Sequence, residues 1–295
     1  MPRGSTVRTF DYQAAATIDE ALAALAEHGD DVELIAGGTS LILMMQQGLV
    51  QPAVVVGLGA IGELRGIKRT PDGGLDVGAM TTHRQLETSP EAFAYAAALP
   101  QALGVIATIR IRNQATVGGN LVHADPAQDP PPVLIALDAS VEAVSAGGGA
   151  RLIPMADFFT DYFETALGET ELLRSIKIPP LPAGSRLAYK KFLPRTEDDY
   201  ATVSVAVRLG VTPDGTCTDL RIGLGALGTT PLRARAVEAA LLGQKLTAGV
   251  VRDAAALVRD EVDPLDDIRG SAGYKREMAR VWTERTIASL AKLPE

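Results

Sequence analysis

Apolar residues in this chain come mostly as short runs broken by glycine, proline or charge, and sustained helical spacing dominates only near the C-terminus. Thr17-Ile18-Asp19-Glu20 has the spacing of a capping box, with apolar Ala21, Leu22 and Leu25 behind it and Gly29 as a stop, which predicts a helix over about 17–28. Val32–Ile35 reads as a short strand running into Ala36-Gly37-Gly38-Thr39-Ser40, after which Ser40–Gln47 reads as a helix ending at Gly48. Strand-like runs follow at Val54–Leu58 and Leu75–Ala79. Pro90–Ile106 is an alanine-rich helical stretch that Pro100 either kinks or restarts. A second glycine segment, Thr116-Val117-Gly118-Gly119-Asn120, comes next. Apolar runs at Val133–Leu137 and Val141–Ser145 precede Gly147-Gly148-Gly149, and Glu171–Ile178 reads as a strand.

The clearest break is Pro179-Pro180-Leu181-Pro182-Ala183-Gly184. Beyond it, Ala201–Leu209 and Leu220–Leu227 read as strands joined through Pro213-Asp214-Gly215, where Asp-Gly signals a hairpin. Helical spacing then covers about 232–243, 247–261 and 274–291. Strands followed by helices predict an α+β unit. No internal repeat points to a solenoid.

Composition narrows the function classes. A chain of 295 residues and 30.9 kDa suggests two domains, and 46% hydrophobic residues suffice for a core. No apolar run approaches the roughly 18 residues of a membrane span. The segment Met1-Pro2-Arg3-Gly4-Ser5-Thr6 lacks an apolar signal region, so a cytoplasmic location is expected. A net charge of −8 argues against a general nucleic-acid binder. Arg110, Arg112 and the Arg65/Lys68/Arg69 group are the basic candidates, the last read as solvated surface. Cys217 stands alone, which excludes an internal disulfide and an iron–sulfur cluster held by four cysteines of this chain. His28, His83 and His123 show no metal-ligand spacing, and no Gly-x-Ser-x-Gly elbow occurs. Gly223-Leu224-Gly225-Ala226-Leu227-Gly228 has Rossmann spacing, but Thr229-Thr230-Pro231 follows in place of a helix, so it reads as a glycine-softened strand end.

The two Gly-Gly segments carry the chemistry. Glycine lets a ligand approach the main chain, and successive N–H groups in such turns form a concave anion site. Two of them suggest an extended phosphate region such as that of a dinucleotide. On this reading a Cβ at Gly37 or Gly119 would occupy the space of a pyrophosphate.

Three stretches around these segments resemble the FAD-binding medium subunit of molybdenum-containing hydroxylases, the family of the carbon monoxide dehydrogenase medium chain and the middle part of xanthine dehydrogenase. They are Leu34-Ile35-Ala36-Gly37-Gly38-Thr39-Ser40-Leu41, Val77-Gly78-Ala79-Met80-Thr81-Thr82-His83, and Ile109-Arg110-Ile111-Arg112-Asn113-Gln114-Ala115 running through Thr116–Leu121 to His123-Ala124-Asp125-Pro126-Ala127-Gln128-Asp129. Lys191 and Arg195-Thr196-Glu197-Asp198-Asp199-Tyr200-Ala201 resemble the family's Lys…Arg-x-x-Asp-Phe/Tyr-Ala segment. The likeness runs from about residue 7 to 290. Val117 stands where isoleucine is usual, Ser40 where aspartate or histidine is frequent, and Pro130-Pro131-Pro132 is richer in proline than the pattern and would stiffen the loop after Asp129.

The resemblance implies an α+β protein. Its first part is the two-part FAD-binding fold of the vanillyl-alcohol-oxidase (PCMH) type, over 1–178 with subdomains of about 1–58 and 59–178. A C-terminal α+β domain of the carbon monoxide dehydrogenase flavoprotein type follows over 185–292. It implies FAD in this chain, with backbone N–H groups of Ala36, Gly37, Gly38, Thr39 and Ser40 and of Thr116, Val117, Gly118, Gly119 and Asn120 cradling the pyrophosphate. Asp129 would accept from sugar or ribityl hydroxyls, Leu173 would pack on or bond to a ring, and Lys191 would place a positive charge near the flavin. Tyr200 and His83 are the flavin-proximal candidates. Plainer roles exist: a turn residue for Asp129, a surface lysine for Lys191, structural or core positions for His83 and Tyr200. The implied activity is an oxidoreductase's electron transfer. A large subunit with a molybdenum cofactor and a small subunit with [2Fe-2S] clusters would be partners, in a dimer of heterotrimers, with an external quinone, NAD or oxygen as acceptor. The alternative is a self-sufficient FAD-dependent oxidase or dehydrogenase.

Overall fold

The computed structural model describes residues 9–194 and 199–293. Three sheets organise them. The first is parallel, β1 (Asp11–Ala14), β2 (Val32–Ile35) and β3 (Val54–Gly57), in the order β1-β3-β2. Helix α1 (Ile18–His28) follows β1, and α2 (Leu41–Gln47) links β2 to β3. Both start and stop where their signals stand. The Thr17 hydroxyl accepts from Glu20 N at 3.2 Å, Glu20 Oε2 accepts from Ala16 N at 2.7 Å, and Gly29 and Gly48 end the helices at φ 53° and 74°. Val32, Val54 and Val56 bury one sheet face against Ala21 and Leu22 of α1.

The second sheet is antiparallel: β4 (Ile67–Arg69), β5 (Leu75–Gly78), β6 (Ser140–Ser145), β7 (Gly149–Pro154) and β10 (Glu171–Ile178), ordered β4-β5-β10-β6-β7. A small hairpin, β8 (Phe159–Asp161) and β9 (Glu164–Thr165), precedes β10. Between β5 and β6 lie α3 (His83–Glu87), α4 (Pro90–Tyr95), α5 (Ala98–Gly104), α6 (Ile109–Gln114), α7 (Val117–His123) and α8 (Pro130–Ala136), and α9 (Met155–Phe158) follows β7. Pro100 does not kink one long helix: the chain breaks at Ala96–Ala97, and Pro100 sits in the first turn of α5, where its missing N–H costs nothing. The three prolines after Asp129 likewise form the first turn of α8 and do not stiffen a loop. The second glycine segment is no loop either. Thr116 caps α7, and Val117 to Asn120 are its opening residues.

The third sheet, β11 (Arg186–Phe192), β12 (Val203–Val211), β13 (Cys217–Gly225) and β14 (Leu232–Arg233), is antiparallel in that order. The Asp-Gly hairpin joins β12 and β13, with Gly215 at φ 87°, two to three residues out of the expected frame at the strand ends. Helices α10 (Arg235–Leu241), α11 (Ala248–Ala255), α12 (Val258–Glu261) and α13 (Ala272–Ala291) complete the chain. β12 is buried on both faces. Val203, Val205, Val207 and Leu209 pack into the core beneath the C-terminal helices, whereas Ala206 joins the core that holds α8. The α8 side carries small residues, Ser204 and Ala206 opposite Gly225 and Gly223. A Cβ on Gly223 would overlap the Pro132 carbonyl oxygen, so the glycines with Rossmann spacing are a seat for α8. At the far end of α8, Asp138 accepts from Arg208 at 2.8 Å and Arg221 at 3.0 Å, and Arg208, only 4% exposed, also pairs with Asp219.

Candidate cofactor site

β2 delivers the chain into Ala36–Ser40, and α6 delivers it into α7. The two segments are pressed together at the backbone. A Cβ on Gly37 would overlap the Gln114 carbonyl oxygen and lie 2.9 Å from Ala115 Cα, and Gln114 Nε2 donates to Gly37 O at 2.9 Å. Gly38 turns the loop at φ 70°, the left-handed region that favours glycine. Gly118 lets α7 lie on Ala79, whose Cβ would be 2.6 Å from a Cβ there. The glycines therefore serve contacts within the protein, and the expectation that a Cβ at Gly37 would first fill ligand space is corrected. A Cβ on Gly119 would meet Thr116 Oγ1 at 2.9 Å and Ala36 Cβ at 3.5 Å, again protein atoms.

A cavity of about 340 Å³ opens along this seam, a size within the range of small-molecule sites. Ala36, Gly37, Gly38, Thr39 and Ser40 line it, as do Thr116, Gly118, Gly119, Asn120 and Leu173. Its two glycine segments are not equivalent. Among the described residues nothing accepts from the backbone N–H groups of Gly37, Gly38, Thr39 or Ser40. In the second segment all but that of Thr116 are taken: Val117 N donates to Thr81 O at 2.9 Å, Gly118 N to Ala79 O at 2.9 Å, Gly119 N to Thr116 Oγ1 at 3.1 Å and Asn120 N to Thr116 O at 2.9 Å. Of the N–H groups expected from both segments, those of Gly37–Ser40 and Thr116 are free among the described residues. The second also offers the Asn120 side chain, whose Oδ1 is buried without a partner among the described residues.

Gln128 Oε1 is orphaned in the same way and also lines the cavity. Free main-chain donors beside buried unpaired acceptors are the complement of a ligand with anionic oxygens and hydroxyls, because buried polar groups are normally paired. The residues therefore fit a phosphate-bearing dinucleotide.

Other candidates fall elsewhere. Val117 is buried in the core and does not line the cavity. Asp129 is not in the lining: Tyr189 OH donates to its Oδ1 at 2.5 Å and Lys191 Nζ to its Oδ2 at 2.9 Å. Burial raises its carboxyl above the ordinary range, and the Lys191 charge works against that rise. Lys191 also donates to Val105 O at 3.0 Å and is buried, so it is not a surface lysine, and its charge is spent on Asp129. His83 is fully buried, lies outside the lining, and among the described residues neither ring nitrogen has a partner. Burial first, and then Arg112, hold its pKa down to about 4. Its burial away from the lining fits the structural reading. Tyr200 is 43% exposed, so it is not core, and its ring faces the Arg269 guanidinium at 5.6 Å. Residues 195–198 of the Arg-x-x-Asp segment lie outside the described residues.

Sequence reasoning missed Glu33, Met44, Leu58, Gln128, Phe163 and Leu167 in the lining. Gln128 stood inside the quoted stretch beside Asp129. The others come from β2 (Glu33), α2 (Met44), the residue after β3 (Leu58), the β8–β9 turn (Phe163) and just beyond β9 (Leu167), with no local signal.

Comparison with known proteins agrees with the site. Residues 8–181 match a family model described as the FAD binding domain in molybdopterin dehydrogenase, and residues 188–290 match the CO dehydrogenase flavoprotein C-terminal domain. Subunit alpha of the 6-hydroxypseudooxynicotine dehydrogenase complex of Paenarthrobacter nicotinovorans is 34% identical over 95% of this chain and 94% of its own. The carbon monoxide dehydrogenase medium chain of Hydrogenophaga pseudoflava is 34% identical over 94% of this chain and 96% of its own. The solved carbon monoxide dehydrogenase of Hydrogenophaga pseudoflava superposes with a TM-score of 0.91 at 37% identity, covering 95% of this chain and 96% of that one. The chain thus belongs to the family of FAD-binding medium subunits of molybdenum-containing dehydrogenases, as an α+β oxidoreductase subunit.

Proposed function

We propose that this chain is the electron-transfer subunit of a three-chain molybdenum hydroxylase. It would receive electrons from [2Fe-2S] clusters on a small partner and release them to an external acceptor, while substrate reacts on a large molybdenum-cofactor partner. The observation that carries the FAD assignment is the cavity at the seam of the two glycine segments, with its free Gly37–Ser40 donors and orphaned Asn120 and Gln128 acceptors. Ala36–Ser40, Thr116, Gly118, Gly119, Asn120 and Leu173 hold the dinucleotide on this reading. Val117 supports α7 from the core. Bound FAD supplies a carrier that exchanges electrons one or two at a time.

The chain's own residues bind and orient. Thr39, Ser40 and Asn120 add side-chain hydrogen bonds to the main-chain donors. Tyr189 and Lys191 tie β11 to Asp129, the residue after Gln128. The dependence on partners is supported by the single cysteine, too few for an iron–sulfur cluster of four thiolates. The substrate class is left to the partners: two relatives at 34% identity are named for 6-hydroxypseudooxynicotine and for carbon monoxide. We further propose a dimer of heterotrimers, a cytoplasmic location, and division into units at 1–178 and 185–292. Among the described residues no helix is long and apolar enough to cross a membrane.

The test is a tagged, non-denaturing purification from the native host with flavin, iron and molybdenum analysis. Recovery with a large molybdenum chain and a small iron–sulfur chain is expected. Recovery alone, yellow and metal-free, would replace this reading with a self-sufficient flavoenzyme.

A further inference from the structure

The cavity lining comes from two units that meet where Gly37 presses on Gln114–Ala115. On one side it is built from β2, α2 and the residues flanking them, including Glu33, Leu34, Met44 and Val50. On the other it is built from α7, the segment between α7 and α8, and the β8–β9 hairpin, including His123, Gln128 and Phe163. On the FAD reading, phosphates held at the seam would place the two ends of the dinucleotide on opposite sides of it.

Glu33 is the unexplained group on the first side. It sits on edge strand β2, three residues before the glycine loop, on the sheet face opposite the valines that pack on α1. It is partly buried, and among the described residues its carboxylate takes no hydrogen bond and no ion pair. Burial raises its pKa, because no group of the chain replaces the water its charge loses.

The chemistry of the two ends of FAD decides which one Glu33 meets. An isoalloxazine presents mostly acceptors and gains electron density on reduction, so an uncompensated carboxylate beside it opposes electron uptake. A nucleoside presents donors, the ribose hydroxyls and the exocyclic amine of adenine. We propose that Glu33 is a specificity-determining residue that accepts a hydrogen bond from the adenosine half of the cofactor and so selects FAD over FMN. The inference rests on the FAD reading above and assigns an end of the site within it.

The experiment uses the flavin-depleted complex, titrated with FAD and with FMN by fluorescence quenching, with ADP, inosine diphosphate and 2′-deoxy-ADP as competitors. Glu33→Leu is expected to weaken FAD about tenfold, equivalent to about 1.4 kcal/mol, and to leave FMN unchanged. Glu33→Gln, which keeps an acceptor, should recover part of the loss. A wild-type preference for ADP over inosine diphosphate that Glu33→Leu abolishes assigns the amine as donor, and the same pattern with 2′-deoxy-ADP assigns the ribose. Unchanged FAD affinity in Glu33→Leu, or an equal loss of FAD and FMN, overturns the proposal. A wild-type complex that takes up neither flavin overturns the FAD reading and the inference with it.

Discussion

Replacing Gly37 by alanine tests whether the glycine loops work by packing on each other. Gly37 has no left-handed backbone angle, so the substitution acts through contact alone. The new methyl would overlap Gln114 O and lie 2.9 Å from Ala115 Cα, where carbon contacts settle at about 3.5–4.0 Å. The loop must retreat by roughly an ångström. The Gln114 Nε2 to Gly37 O bond, now 2.9 Å, would not survive that shift. It contributes about 1 kcal/mol, and overpacking against backbone adds about 1–3 kcal/mol. The sum is about 2–4 kcal/mol, and the Gly37–Ser40 donors move with the loop. The purified complex carrying Gly37→Ala should show at least about tenfold weaker FAD retention and an earlier unfolding transition for this chain. Flavin absorbance and calorimetry read the two effects. Gly59→Ala is the control, because a Cβ there meets nothing within 4 Å. Full flavin content with an unshifted transition in Gly37→Ala, or an equal loss in Gly59→Ala, would refute the packing argument.

Three further outcomes follow from buried groups. With its folded pKa near 4 against 6.5 unfolded, His83 contributes stability that is complete above about pH 6.5 and is lost as pH falls toward 4, by about 3 kcal/mol. His83→Leu should therefore flatten the acid limb of stability in urea unfolding at pH 7.5 and 5 while leaving turnover intact; an unchanged limb or lost turnover contradicts the structural role. Asp129→Asn strands the buried Lys191 charge and should cost about 3–5 kcal/mol, whereas Asp129→Asn with Lys191→Met should cost clearly less, which a double-mutant cycle measures. Gly223→Ala should loosen α8 from β13 by about 1–3 kcal/mol or more, read as faster amide hydrogen exchange along β13; unaltered exchange would mean that Pro132 is not seated there.

Much of this architecture is legible in local patterns. Val32–Ile35, the Gly48 stop and Glu171–Ile178 lie where their residues place them, because each is set by near neighbours. The errors share a different cause. Gly118-Gly119 opposes helix propensity, so α7 reads as a loop, although Thr116 offers a cap and close approach to Ala79 supplies what glycine costs. Three successive prolines read as irregular chain, yet the first turn of a helix needs no N–H from them. The cavity lining was legible where its residues belong to one segment. Burial of His83, pairing of Asp129 with Lys191 and the approach of Phe163 depend on distant chain, and no spacing records them.

The seating of α8 bears on how divisible the protein is. All of Pro130–Ala136 is buried, one side in the core shared with β5, β6 and β10 and the other on the glycine seat of β13. The proline-rich connection at 179–183 looks like a place to cut. A fragment ending there would present the outer side of α8, with Pro132 and the Asp138 carboxylate stripped of its arginines, to solvent or to another copy of itself. On this packing the two sequence modules should unfold in one transition, although the chain divides between them in sequence. Chimeras that exchange the C-terminal part between relatives should succeed only when the partners of α8 travel with it.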